Sequence, residues 1–338
     1  MGGELMDWSK GFSSAYYATF VDKASWRDVD KFDLISGNIN RSVSSLIEAA
    51  ELDTREAFDN ERWIRLYMDT RQNGETGHEA LFTGLAVPPK TEIDGNIKTF
   101  SLECYSVLKP AEDVLLDRGY YIPKGINGGE MIAELLKVTP APVEIDAQTP
   151  NLRNVIVAES GETHLSMVYK ILKAINRRIR ISGDGTIHIA PTSTEAAVAF
   201  SALDYDAVEP KLTLTHDWFS CPNVFRVTDG DTSAIARDER EDSILSVQNR
   251  GREVWMAEDS VYLADDEGLA EYADRRLKEE QARAYDASYS RRYHPDIRVT
   301  DYVTLRYPAQ GLDGTYKVVS QRIELGYGCR TEETIEYS

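Results

Sequence analysis

Three pairs of neighbouring carboxylates could in principle work as acid and base: Asp204 with Asp206, Asp229 with Asp231, and Asp265 with Asp266. Hydrolysis of a glycosidic bond uses such a pair, one group on each side of the bond. Each pair here, however, stands in a turn-like or helix-capping context that accounts for it without chemistry. The run Asp229-Gly230-Asp231-Thr232-Ser233 opens like a calcium loop. Its sixth position is Ala234 rather than Gly, and its twelfth is Arg240 rather than Glu, so calcium is not expected. The histidines (His78, His164, His188, His216 and His294) show no paired metal spacing. His216-Asp217 could orient an imidazole, and Cys221-Pro222 follows closely enough for a Cys–His pair to be conceivable. Nothing supplies an oxyanion site or a nucleophile elbow, so Cys221 reads as a strand-entry cysteine. Gly2-Gly3 and Gly128-Gly129 lack the patterns that cradle phosphate. Gly326-Tyr327-Gly328 reads as a bulge or turn at a strand end. No catalytic residue, cofactor-binding residue or metal ligand is expected, and the chain reads as a non-enzyme that needs no cofactor.

Charge and cysteine content narrow the partners. The net charge is −19 over 338 residues, which argues against a general nucleic-acid binder, since that would need a basic face. The basic residues cluster at Arg177-Arg178 with Arg180 and at Arg291-Arg292. On so acidic a background they are expected to make intersubunit salt bridges or solvated strand faces. Cys104, Cys221 and Cys329 are far apart and odd in number, so neither a disulfide framework nor a zinc knuckle is expected. Buried thiols made in a reducing cytoplasm fit this pattern. No window approaches the apolar length of a membrane helix, so no membrane insertion is expected. The start of the chain lacks a basic region followed by an apolar core, so no secretory signal is expected. Met6 stands where a myristoylation motif needs Ser or Thr.

The elements that must carry these residues are mostly strands. Residues 16–21, 32–39, 63–69, 80–87, 90–93 and 97–108 read as β, with a bulge or turn at Ser36-Gly37, a turn at Gln72-Asn73-Gly74, and Asp94-Gly95 as a type I′ turn. From about 109 the pattern changes. Asn127-Gly128-Gly129-Glu130 looks like a capped helix start, followed by Met131, Ile132, Leu135 and Leu136 on one face. A second helix is predicted over about 164–175. Residues 178–182 and 186–189 follow as a hairpin through Gly183-Asp184-Gly185. From about 209 the chain returns to β, interrupted by one long helix over about 266–283. Asp265 or Asp266 would cap that helix, and Leu269, Ala273 and Leu277 would be its buried line. Asp313-Gly314 is predicted to turn. The residues therefore predict a β-rich α+β chain: β over 1–108, a small α+β unit over 109–208, and β with one long helix over 209–338.

Three ordered stretches resemble the baseplate or tail-hub proteins of tailed phages, prophages and contractile injection systems. The first is the strand 16–21, then Trp26-Arg27-Asp28 and Ile35-Ser36-Gly37-Asn38-Ile39-Asn40-Arg41-Ser42. The second is the helix–hairpin 167–189. The third begins at Ser246-Val247-Gln248-Asn249-Arg250-Gly251-Arg252, passes Arg291-Arg292-Tyr293-His294-Pro295-Asp296, and ends at Leu325-Gly326-Tyr327-Gly328. The resemblance covers about 14–337 in order. It implies two tube-like β-barrel domains with a small α+β inserted domain, assembled as a homotrimer whose six barrels mimic a six-fold ring. In this family part of the second β region can return to complete the first barrel, which would move the boundary near 208. The implied role is a structural virion component, a hub linking the tail tube or a distal tail protein to a central spike or tip. DNA would pass through the lumen without specific binding, and an acidic lumen would repel its phosphates. Such a protein is made in the bacterial host cytoplasm and resides in the virion. The second β block runs to Ser338 and leaves no room for a lytic domain. The alternative is a carbohydrate-active β-fold protein of a phage tail, a lectin or cell-wall hydrolase.

Overall fold

The structure is a computed structural model that describes residues 6–337, apart from 45, 57–59, 89, 147, 202–206, 217, 260, 262 and 264–267. Gly2-Gly3, Asp204, Asp206, Asp217, Asp265 and Asp266 lie outside the described residues.

Seven strands open the chain: β1 (Ser13–Asp22), β2 (Arg27–Ser42), β3 (Glu48–Thr54), β4 (Arg62–Gln72), β5 (Glu75–Ala86), β6 (Lys90–Asp94) and β7 (Ile97–Ser106). Because β1 pairs with both β4 and β2, the hydrogen-bonded path β1-β4-β5-β7-β3-β2 closes on itself. Ile39, Leu52, Ile64, Leu66, Met68, Leu81 and Phe82 fill this barrel. Each such side chain contributes about 1.5–3 kcal/mol on burial. The pairing of β2 with β3 slips between Leu34 and Ser36, which is the expected bulge. Asn73 and Gly74 both have positive φ (50° and 89°), as a type I′ turn requires. The next turn lies one residue later than predicted. Asp94 pairs with Ile97, so Gly95-Asn96 is the loop, with positive φ only at Gly95. That is the II′ pattern, in which glycine takes the first central position.

A layer of helices and short strands follows: α1 (Lys109–Asp113), β8 (Tyr121–Ile122), α2 (Gly128–Leu135), β9 (Val143–Ile145), β10 (Ile156–Val157), α3 (His164–Ala174), β11 (Arg177–Ile181) and β12 (Ile187–Pro191). Asn127 caps α2 by accepting from the Glu130 N–H. Thr163 and Ser166 form a reciprocal capping box at the start of α3. Ile179, Ile181, Ile187 and Ile189 turn inward from the predicted hairpin onto Ile132, Leu135, Val168 and Ile171.

The remaining strands are β13 (Ala196–Ser201), β14 (Val208–His216), β15 (Val224–Asp229), β16 (Thr232–Arg237), β17 (Trp255–Asp259), β18 (Tyr285–Arg291), β19 (Tyr302–Tyr307), β20 (Leu312–Glu324) and β21 (Thr331–Tyr337), with helices α4 (Val247–Arg250) and α5 (Leu269–Ala282). Six of them form a second sheet in the order β13-β19-β20-β21-β18-β14 around Phe200, Tyr289, Val303, Leu305, Val318 and Ile335. It joins the first barrel through β2 and β20, making one sheet. Asp313 and Gly314, predicted to turn, lie inside β20 opposite Arg306 and Leu305. The chain reverses instead at Pro308–Gln310 and Gly311, whose φ of 78° suits glycine.

The pairing differs from the expected division at 208/209. β13 lies before that boundary, yet it pairs in parallel with β19, about a hundred positions on. The order β16-β15-β17 is a separate small sheet, and α5 packs on it rather than within a barrel. Tyr272, Ala273 and Leu277 are the buried line of α5, with Leu269 partly buried beside them. Gly268 rather than an aspartate is its N-cap, and Glu271 accepts from the Gly268 N–H at 3.0 Å.

Asp238 ties this small layer together. It accepts from Arg240 at 2.9 and 3.1 Å, from Ser243 at 2.6 Å and from Gln281 of α5 at 3.1 Å. Burial opposes its charge, but the bonds from Arg240 and Ser243 outweigh burial and hold the carboxyl at about 2. A carboxyl depressed in the folded state stabilises the protein above its ordinary pKa of 3.8 and loses that contribution as pH falls toward 2. Thermal melts between pH 2 and 5 should therefore show a falling limb that flattens in Asp238→Asn. An equally steep limb in the variant would assign acid sensitivity elsewhere.

Candidate functional site

The sheet that crosses from the barrel to the second sheet has one polar side. Cross-strand neighbours place Ser101 and Glu103 beside Asp53 and Glu51, then Ser36 and Asn38. Next come Glu324, Arg322 and Ser320, then Glu332 and Thr334, then Ser290 and Ser288, and finally Thr213. This face therefore spans seven strands in the order β7-β3-β2-β20-β21-β18-β14. Two grooves of about 480 and 440 Å³ run along it. Its charge is uneven. In the barrel half, Asp53 accepts from Ser36 and Ser101 at 2.6 and 2.7 Å, and Glu51 accepts from Asn38 at 3.1 Å. These neutral donors leave the negative charge in place. In the other half, Arg330 pairs with Glu209 at 2.8 Å and with Glu332 at 2.7 Å. The Arg330 bond pulls the Glu209 carboxyl down, and the two acids push the guanidinium up.

Beneath this face, at the joint between barrel and second sheet, lies a buried ionic network. Arg41 donates to the Leu81 carbonyl at 2.6 Å and pairs with Glu48 at 3.3 Å. It also donates to Gln321 at 3.3 Å. Gln321 passes on to Glu333 at 2.7 Å and to the Ile297 carbonyl at 3.1 Å. Glu333 pairs with Arg291 at 2.5 Å and accepts from the Tyr289 hydroxyl. Burial drives the Arg41 guanidinium down and the Glu48 carboxyl up. For Arg291 burial acts against the charge, and Glu333 outweighs it and holds the guanidinium above its ordinary value. Burial, then Glu333, raises the Tyr289 phenol. The sequence reading missed this network. The signal was available: Arg41, Gln321, Glu333 and Arg291 occupy the same alternating register as the buried Ile39, Ile323, Ile335 and Tyr289. A charged residue in that register must be paired.

The described residues that were considered for chemistry make the following contacts. Asp229 and Asp231 flank Gly230 (φ 57°) in the turn between β15 and β16, and Asp229 accepts from Asn154 at 3.1 Å. The Cys221 thiol donates to the Pro222 and Glu280 carbonyls, while His216 packs against Trp218 and Tyr285. His78 meets Asp69 at 2.7 Å, His188 meets Glu144 at 3.2 Å, and His164 bonds the Leu135 carbonyl. Among the described residues no group of three His, Cys, Asp or Glu could hold a metal ion. No helix among them is long and apolar enough to cross a membrane. All three cysteines are buried, and none forms a disulfide among the described residues. The basic clusters differ from expectation, since they bind within the chain. Arg178 and Arg180 reach Asp301 at 3.1 and 3.3 Å, Arg177 donates to the Gln148 carbonyl at 2.7 Å, and Arg291 belongs to the buried network. The hairpin face carrying the first cluster packs against the loop at 296–301, so intrachain carboxylate and carbonyl acceptors reach its arginines first.

A closed barrel joined edge to edge with a second six-stranded sheet, with small α/β layers attached, is a specific combination. The tail protein from Neisseria meningitidis MC58 reproduces it with a TM-score of 0.71 at 13% identity, covering 96% of this chain and 97% of that one. The chain has the fold of phage tail proteins. The 43 kDa tail protein of prophage MuSo2 from Shewanella oneidensis shares this tail-protein fold, with a TM-score of 0.70, 15% identity and coverage of 96% and 98%. The prophage tail protein gp18 from Listeria monocytogenes EGD-e does so with a TM-score of 0.58, 13% identity and coverage of 96% and 94%. No family model and no curated protein matches the sequence. The tail-protein fold bears out the β-rich class expected from the residues.

Proposed function

We propose that the chain is the hub subunit of a phage-type tail, a non-catalytic structural protein that forms a homotrimeric ring between the tail tube and a central spike or tip. The observation that carries this reading is the polar face shared by the barrel and the second sheet. A ring needs a solvated inner wall and two different flanks. The shared face supplies a wall seven strands wide, and its two ends offer the outer edges of β6 and β14, which among the described residues pair with β7 and β18 alone. Pro210 and Lys211 on β14 guard that edge against indiscriminate pairing. In this reading two tube-like domains are built from 13–106 and from 196–216 with 285–337, and two small α/β units fill 109–191 and 221–284. The carboxylates Glu51, Asp53 and Glu103 face the lumen and repel passing DNA. The protein is made in the bacterial host cytoplasm and resides in the virion.

The matched tail-protein folds support this reading over the carbohydrate-active alternative. Native mass measurement of the purified protein tests it, alone and with the neighbouring tube and spike proteins. Trimers, or trimers formed on adding a partner, are expected. A protein that stays monomeric with every partner overturns the ring.

A further inference from the structure

The loop 292–301 between β18 and β19 touches the barrel, the second sheet and the α/β layer. Tyr293 is buried in the barrel core, where its ring meets Trp8 edge-on at 5.9 Å. Ile297 is buried in the core of the second sheet, and its carbonyl accepts from Gln321 at 3.1 Å. Arg298 is buried and brings its guanidinium to 3.9 Å from Glu48 of the barrel. Asp301, also buried, takes Arg178 and Arg180 of the hairpin. Three bodies are therefore tied through one short segment.

The segment ends in a strained turn. The Asp301 N–H donates to the Arg298 carbonyl at 3.0 Å, and Thr300, the third residue of this turn, has a φ of 74°. Val299 before it does not have positive φ, so the turn is of type II. Its third position normally takes glycine or asparagine. A β-branched residue is disfavoured there, and such strain persists only where the surroundings enforce it. Two sides do so. From the second sheet, Val318 accepts from the Thr300 N–H and donates to the Asp301 carbonyl, each at 2.8 Å. From the hairpin, Arg178 donates to the Thr300 carbonyl, to its hydroxyl at 3.1 Å, and to the Asp301 carboxylate at 3.1 Å. That carboxylate also accepts from the Arg298 N–H at 2.9 Å. One arginine of the α/β layer thus grips the strained residue and the residue that fixes Arg298.

We propose that 292–301 is a strained strap that couples docking of the hairpin to closure of the joint between barrel and second sheet. While the hairpin is docked, Arg178 holds Thr300 left-handed and the strap keeps Arg298 at Glu48 and Ile297 at Gln321. When the hairpin lifts, the turn relaxes and these contacts at the joint loosen. The coupling goes beyond the hub reading and does not depend on it.

Hydrogen exchange read by mass spectrometry on the full chain tests the coupling, since exchange reports local opening segment by segment. Arg178→Met should speed exchange about tenfold in 292–301 and also in 318–323, the scale that backbone strain of this kind commands. Arg177→Met, which removes a hairpin arginine that reaches Gln148 instead, should leave both segments unchanged. Adding Thr300→Gly to Arg178→Met should return 318–323 toward wild type, because glycine keeps the turn without the clamp. Faster exchange confined to the hairpin, an equal effect of Arg177→Met, or no recovery in the double variant overturns the strap. Thr300→Gly alone serves if Arg178→Met unfolds the chain. It should melt at or above the wild-type temperature, against the loss that glycine brings at an ordinary position, and a lower melting temperature overturns the strain on which the strap depends.

Discussion

Replacing Glu333 by leucine is expected to lower the unfolding free energy by about 3–5 kcal/mol, the cost of leaving a buried charge without its partner. Both side chains of the pair are sealed from solvent, Arg291 at 1% and Glu333 at 0% exposure. Glu333 also accepts from Tyr289 and Gln321, so its removal leaves buried donors unsatisfied on both sides of the joint. Gln321 is the only described side chain that bonds to both Arg41 of β2 and Glu333 of β21, so the loss is felt where the barrel meets the second sheet. The double variant Arg291→Met with Glu333→Leu should recover much of the loss, because an apolar pair of similar volume carries no desolvation cost. Urea unfolding of the three proteins reads both effects. A single variant within about 1 kcal/mol of wild type, the ordinary net value of one hydrogen bond, would show that solvent reaches the joint.

The second large effect is expected at the hairpin tip. A Cβ on Gly183 would lie 1.6 Å from the Ala80 carbonyl oxygen of β5, a clash with backbone that no rotamer relieves. The Gly183 carbonyl accepts from Thr83 at 2.7 Å. The next carbonyl, of Asp184, accepts from the Trp26 indole and from Arg65, each at 3.0 Å. Arg65 is itself held by Asp28 at 2.8 Å. The hairpin therefore plugs into the barrel wall by backbone contact. Gly183→Ala should cost about 3 kcal/mol, the upper end for overpacking a tight site, and should loosen the α/β layer from the barrel. Urea unfolding gives the magnitude, and Trp26 fluorescence with limited proteolysis near 183 reports the loosening. A loss below about 0.5 kcal/mol, the range of a neutral surface change, would mean that the tip does not dock this way.

These two sites mark the boundary of what the sequence made legible. The hairpin itself was readable, because Ile179, Ile181, Ile187 and Ile189 alternate and glycines bracket the turn. So were the Asn127 cap, the Asn73-Gly74 turn and the bulge at Ser36, since each is decided by a few adjacent residues. Where glycine shares a turn with another former, local rules slipped by a residue, as at Gly95-Asn96, or misplaced the turn, as at Asp313-Gly314. What Gly183 touches was not readable, because Ala80 is a hundred positions away. The same holds for β13, whose parallel partner β19 is chosen by packing around Phe200 and Leu305 rather than by any local signal. The polar face was invisible for a related reason. Its serines, asparagines and carboxylates each look like the ordinary solvent side of a strand, and only the strand order makes them one surface.

The central claim is that this surface becomes the wall of a channel. Electron cryomicroscopy of the assembled chain tests it most directly. The account predicts a three-fold ring with Glu51, Asp53, Glu103 and Thr213 lining a solvated lumen, and the open edges of β6 and β14 at contacts between copies. A ring that turns this face outward, or a lumen lined by basic residues, would contradict it.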